Sequence, residues 1–139
     1  MQIQARVQNR RGEHRATLTT NGTSRTIDIP PRTSGFGSGV NGGELLFLAL
    51  ATCYCNDIYR EAAKRGIVVE QVEVDVAGAF GAEGEPARHV AYRARVVARA
   101  AEAEIRELMQ QTDAMAEIQN TLRVPTPVTL DQIEAIDAR

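Results

Sequence analysis

The chain has 139 residues with a net charge of −2; 43% are hydrophobic, 24% charged and only 4% aromatic. This is enough chain for one domain over 1–139 with a real core, and the near-neutral balance, with no basic block, argues against a nucleic-acid partner. The start, Met1 to Gln8, lacks the apolar core of a signal peptide. With no apolar run long enough for a bilayer, the expectation is a cytoplasmic protein without membrane contact.

The N-terminal third predicts antiparallel strands. Ile3, Ala5 and Val7 alternate with Gln and Arg, Arg11-Gly12 is a turn, and Ala16 and Leu18 alternate in a second strand. Asn21-Gly22 is a strong hairpin signal, leading to a third strand over 25–29 that Pro30-Pro31 ends. Arg32 to Gly43 is a loop with five glycines and two serines.

Next come eleven residues, Leu45 to Cys55, apolar except for Thr52, and they hold both cysteines. Leu, Ala and Phe without proline favour helix, predicted over 43–65 with Gly66 as its C-cap. A helix apolar on every side is expected to be buried all round. Its second half is amphipathic: Ile58, Tyr59, Ala62 and Ala63 read as inward, and Arg60, Glu61, Lys64 and Arg65 as solvated.

A strand over 67–77 follows, with Val68, Val72, Val74 and Val76 on one face. After a turn region over 78–86, its partner runs over 88–99, where Arg93, Arg95 and Arg99 read as the exposed face. Helices over 101–111 and 114–122 lead to a proline-rich strand, Val124 to Leu130. Strands, central helix, strands, helices, strand: the class is α+β.

The cysteines are two residues apart, which turns them about 200° from each other on a helix, so an intact helix cannot bridge them. They form no Cys-x-x-Cys pair, and no further Cys or neighbouring His completes a zinc set. Neither a metal nor a cofactor is expected. On burial statistics alone, Cys53 and Cys55 read as small core residues. Arg10 reads as a solvated turn residue and Glu44 as a helix-start residue. His14 and His89 lack a partner at suggestive spacing, and Phe36 reads equally as a lid or a surface anchor.

The order of elements, and the run Gly42-Gly43-Glu44-Leu45-Leu46-Phe47-Leu48-Ala49-Leu50-Ala51-Thr52-Cys53, resemble the OsmC/Ohr family of bacterial hydroperoxide-resistance proteins, whose helix reads Gly/Pro-x-Glu-Leu-Leu-x-Ala-Ala-Leu-Ala-x-Cys. The segments Ala62 to Ile67, Asn120-Thr121-Leu122 and Val128 to Asp131 fit as well. The resemblance implies antiparallel sheets around a long buried central helix, and an intertwined homodimer with pockets at its interface.

It also implies chemistry. The family's cysteine at the position of Cys53 attacks the peroxide O–O bond, and a second cysteine resolves the sulfenic acid. Here Ala116 stands in the place of that second cysteine. Members with a catalytic glutamate carry it ten residues before the cysteine; Gly43 holds that position and Glu44 the next, about 100° around the helix. The activating arginine lies in an Arg-x-Gly context, which Arg10-Arg11-Gly12 matches with Arg10.

The implied site is therefore Cys53, Arg10 and Glu44, acting on a small organic hydroperoxide or binding an apolar ligand. Three functions follow: a one-cysteine hydroperoxide reductase regenerated by an external thiol, a non-catalytic small-molecule binder, or a redox sensor.

Overall fold

The computed structural model describes residues 1–139, in two compact units, Met1–Phe47 and Leu48–Arg139. In the first unit, β1 (Ile3–Arg10), β2 (Glu13–Thr20) and β3 (Thr23–Ile27) form an antiparallel meander in that order. The two turns carry the required chemistry: Gly12 has φ 75°, and Asn21 and Gly22 have φ 48° and 84°, the left-handed pair that suits a two-residue hairpin. β3 begins and ends two residues earlier than the sequence suggests, because Thr23 already pairs with Thr20 directly after that tight turn. Asn9 fastens the glycine-rich loop, accepting from Gly37 N–H at 2.9 Å and donating to Gly37 O at 3.2 Å.

Helix α1 spans Gly42–Lys64. Asn41 caps it: its Oδ1 accepts from Glu44 N–H at 2.9 Å, while the Glu44 carboxylate accepts from Asn41 N–H at 2.7 Å, a reciprocal capping box. At the other end Ile67 N–H reaches Ala62 O and Gly66 N–H reaches Ala63 O, with Gly66 at φ 67°. This is the Schellman arrangement expected of a glycine C-cap.

In the second unit, β4 (Val68–Phe80) and β5 (Ala87–Arg99) form a two-stranded antiparallel sheet, followed by α2 (Glu102–Met115) and α3 (Glu117–Arg123). The core is Tyr54, Ile58 and Ala62 from α1 and Leu108 from α2, flanked by valines of β4. Arg93, Arg95 and Arg99 do lie on the exposed face, paired across the sheet with Asp75, Glu73 and Glu70.

Four expectations are corrected. First, α1 is not buried all round: Leu48 is 61% exposed, and Leu45 and Tyr59 are also open, because one chain of this size does not supply cover for every face. Second, Glu61 is buried rather than solvated; Lys64 at 2.8 Å and Arg60 at 3.0 Å neutralise it. Third, Val69 rather than Val68 joins the core, since a register shift between Val69 and Gln71 flips the strand's faces there. Fourth, Val124 to Leu130 forms no strand. Pro125 and Pro127 have no N–H to donate to a ladder, and Val128 and Leu130 stay exposed.

Candidate functional site around Cys53

Positions four apart on a helix lie on the same face, so α1 sets Cys53 directly beside Asp57. The Cys53 thiol donates to Asp57 Oδ2 at 3.5 Å and stands 4.0 Å from Glu117 Oε2 at the start of α3. Arg60 joins the two carboxylates, with Nη1 at 2.9 Å from Asp57 Oδ1 and 3.3 Å from Glu117 Oε1.

Two features place α3 here. Ala116, fully buried, ends α2 and starts α3. The buried Gln119 then donates to Leu50 O on α1 at 2.9 Å. Ala116, where the family resemblance implies a second cysteine, is the immediate neighbour of Glu117.

Asp57 is only 4% exposed. Burial raises its pKa against the pull of Arg60. The Cys53 thiol is also pushed above its ordinary value, by burial first and by the charges of Asp57 and Glu117 further. A hydrogen bond from the Ile118 backbone works the other way and favours the thiolate. Glu117, by contrast, is held below the usual carboxylate range, mainly by its own backbone N–H and by Arg60. The site is a half-buried thiol with one carboxylate in contact, a second at 4.0 Å, and a guanidinium bound to both carboxylates.

Sulfur and carboxylate oxygens of Cys53, Asp57 and Glu117 lie within 4.8 Å of one another, a spacing that a divalent ion tolerates. Arg60 supplies positive charge to both carboxylates.

Cys55 occupies a different surface. It lines a shallow depression of about 250 Å³ with Ala51, Thr52, Asn56 and Val74, so the two thiols diverge as the helix geometry requires. Arg10, at the end of β1, pairs with Glu13 at 2.7 Å, with both side chains largely exposed. It also lines a polar concavity of about 660 Å³ with Glu13, His14 and Arg15, whose walls carry no thiol. Glu44 spends its carboxylate on the Asn41 cap.

Asp57 and Glu117 did not figure in the sequence reading. Asp57 had a signal, the i,i+4 spacing from Cys53; Glu117 had none, being 64 residues away.

An antiparallel α+β fold built on a cysteine-bearing helix is the class these observations define. A model of the family described as OsmC-like protein matches residues 35–131, and the chain belongs to that family. Solved structures share the fold. An OsmC-like protein from Mycoplasma pneumoniae is 19% identical with a TM-score of 0.60, covering 86% of this chain and 87% of that one. An OsmC-like protein of unknown function from Vibrio cholerae is 18% identical at TM-score 0.59, covering 91% and 95%. An organic hydroperoxide resistance protein, OsmC, from Legionella pneumophila is 21% identical at TM-score 0.59, covering 88% and 90%. A search of curated protein sequences finds no match. No helix is long and apolar enough to cross a membrane.

Proposed function

We propose that this chain is a thiol-dependent reductase of organic hydroperoxides that works through Cys53 alone and is regenerated by an external thiol. The observation that carries the reading is the setting of Cys53: a partly exposed sulfur with a carboxylate in contact. A nucleophilic thiol needs a route for its proton, and the Asp57 carboxylate in contact with the sulfur offers one.

With Ala116 buried where a second thiol would be and Cys55 on another surface, the sulfenic acid has no internal partner. The reductant then comes from solution. Arg10 and Glu44 keep the roles the family resemblance implies only by leaving their present partners. An exposed i,i+3 ion pair costs on the order of 0–1 kcal/mol to break.

A homodimer in the cytoplasm belongs to the same reading. Large apolar side chains are uncovered on α1 at Leu48, on the sheet at Ile3 and Val7, and in the tail at Val128, Leu130 and Ile136, and a second copy is the cover the family resemblance implies. A second reading, favoured by the two carboxylates that hold the thiol protonated, is a member that binds an apolar or thiol-reactive molecule without turnover.

Peroxide consumption with excess dithiothreitol separates them. The reductase reading expects turnover in the native chain and none in Cys53→Ser; no turnover with cumene, lipid or hydrogen peroxide refutes it.

A further inference from the structure

We propose that Asp57 is the acid–base partner of Cys53: it takes the thiol proton and returns it to the leaving alkoxide. The proposal rests on the hydroperoxide-reductase reading and assigns a residue to its chemical step.

The geometry is that of a dyad held by a third group. Asp57 is one helical turn from Cys53, and its Oδ2 receives the S–H at 3.5 Å. Its other oxygen is fixed at 2.9 Å by Arg60, which is itself held by Glu61 at 3.0 Å and Glu117 at 3.3 Å. The Asp57 carboxyl therefore cannot swing away without breaking its ion pair with Arg60. A base oriented by a third side chain is the general pattern of an activated nucleophile. The groups facing Asp57 are Cys53 and Arg60 from α1 and Glu117 from α3. Burial raises the proton affinity of Asp57 as well as that of Cys53.

In the step itself, the S–H proton passes to Asp57 Oδ2. The thiolate attacks the distal oxygen of the hydroperoxide, an S–O bond forms, the O–O bond breaks, and its electron pair leaves on the alkoxide. Asp57 then protonates the alkoxide to the alcohol. Sulfur is oxidised by two electrons to the sulfenic acid and the peroxide is reduced. A first external thiol condenses with the sulfenic acid, releasing water and leaving a mixed disulfide. A second external thiol frees Cys53 as the thiol and leaves as a disulfide.

The test compares two reactions of the same sulfur in the full chain, native and Asp57→Asn. Alkylation by iodoacetamide expels iodide, which needs no proton, whereas reduction of cumene hydroperoxide expels an alkoxide, which does. Loss of the carboxylate charge should speed alkylation several-fold and slow peroxide reduction by about tenfold or more. If both rates rise together, Asp57 acts by charge alone and the proposal is wrong, while the reductase reading stands. If the native chain is alkylated but inert to hydroperoxide, the reductase reading fails and takes this proposal with it.

Circular dichroism checks that the variant folds. If it does not, the native pH profiles decide. The proposal expects peroxide reduction to fall again at alkaline pH, where the shared proton is gone, while alkylation keeps climbing. Parallel profiles overturn it.

Discussion

Glu117→Gln isolates what one nearby charge does to the Cys53 thiol. The native carboxylate stands 4.0 Å from Sγ and is ionised at neutral pH, since its own backbone N–H and Arg60 keep its pKa low. Its side chain is 65% exposed, so a water-like dielectric applies. Two unit charges at that distance then interact by about 1 kcal/mol, equivalent to roughly 0.7 of a pKa unit. Glutamine removes this repulsion, and Arg60, freed from one partner, acts in the same direction. The thiolate fraction at neutral pH rises about fivefold, and the lower basicity of the sulfur trims the rate gain to about two- to threefold. The assay is the pH profile of iodoacetamide alkylation, followed by mass spectrometry at Cys53. It should move toward acid by about 0.7 of a unit. A profile that stays in place, or moves toward alkali, refutes the claim that Glu117 acts on this sulfur.

Three further outcomes follow from the packing and the exposed surfaces. Ile58 is fully buried in the core, so Ile58→Ala should cost about 3 kcal/mol, read as a lower urea midpoint at unchanged slope. The Tyr54 hydroxyl donates to Met109 O at 2.8 Å, and burial pushes its pKa up to about 12. Because the folded value exceeds the unfolded one of about 10, the stability it contributes is complete below that pH and is lost as pH rises through the folded value. Tyr54→Phe should therefore flatten the fall in stability across this alkaline window, measured by urea melts on either side of it. Light scattering should report twice the chain mass for the native protein, and Leu48→Glu, at a site 61% exposed in one chain, should shift it toward the monomer.

Local chemistry made much of the fold legible. Asn21-Gly22 and Gly12 announced their turns by residue type, and Gly66 announced the end of α1, because positive φ is costly for other residues. The divergence of Cys53 and Cys55 followed from two-residue spacing alone. What could not be read locally depended on distant partners. The apolar run of α1 predicts burial, but whether one chain supplies the cover is a property of the whole surface. The alternation in Val124 to Leu130 looks like a strand, yet a strand exists only if another edge receives it, and none does. A bulge moved Val69 into the place predicted for Val68, and no side-chain pattern encodes the extra residue. Glu61 looked solvated because charge predicts exposure unless a cation on each side neutralises it, as Arg60 and Lys64 do.

The site divides the same way. Cys53 and its neighbour Asp57 share one helix face, so that pair was readable from spacing. Glu117 arrives through the docking of α3 by Gln119 on Leu50, a tertiary contact with no local signature. The carboxylate in contact with the sulfur is Asp57, while Glu44, one residue past the position of the family's glutamate, caps the helix.

The most direct test of the central claim is intact-mass and peptide spectrometry after brief exposure to one equivalent of cumene hydroperoxide with dimedone present. The account predicts a dimedone adduct on Cys53, reversed neither by Ala116 nor by Cys55, and lost when an external thiol is added before the trap. An unmodified Cys53, or an adduct confined to Cys55, contradicts it.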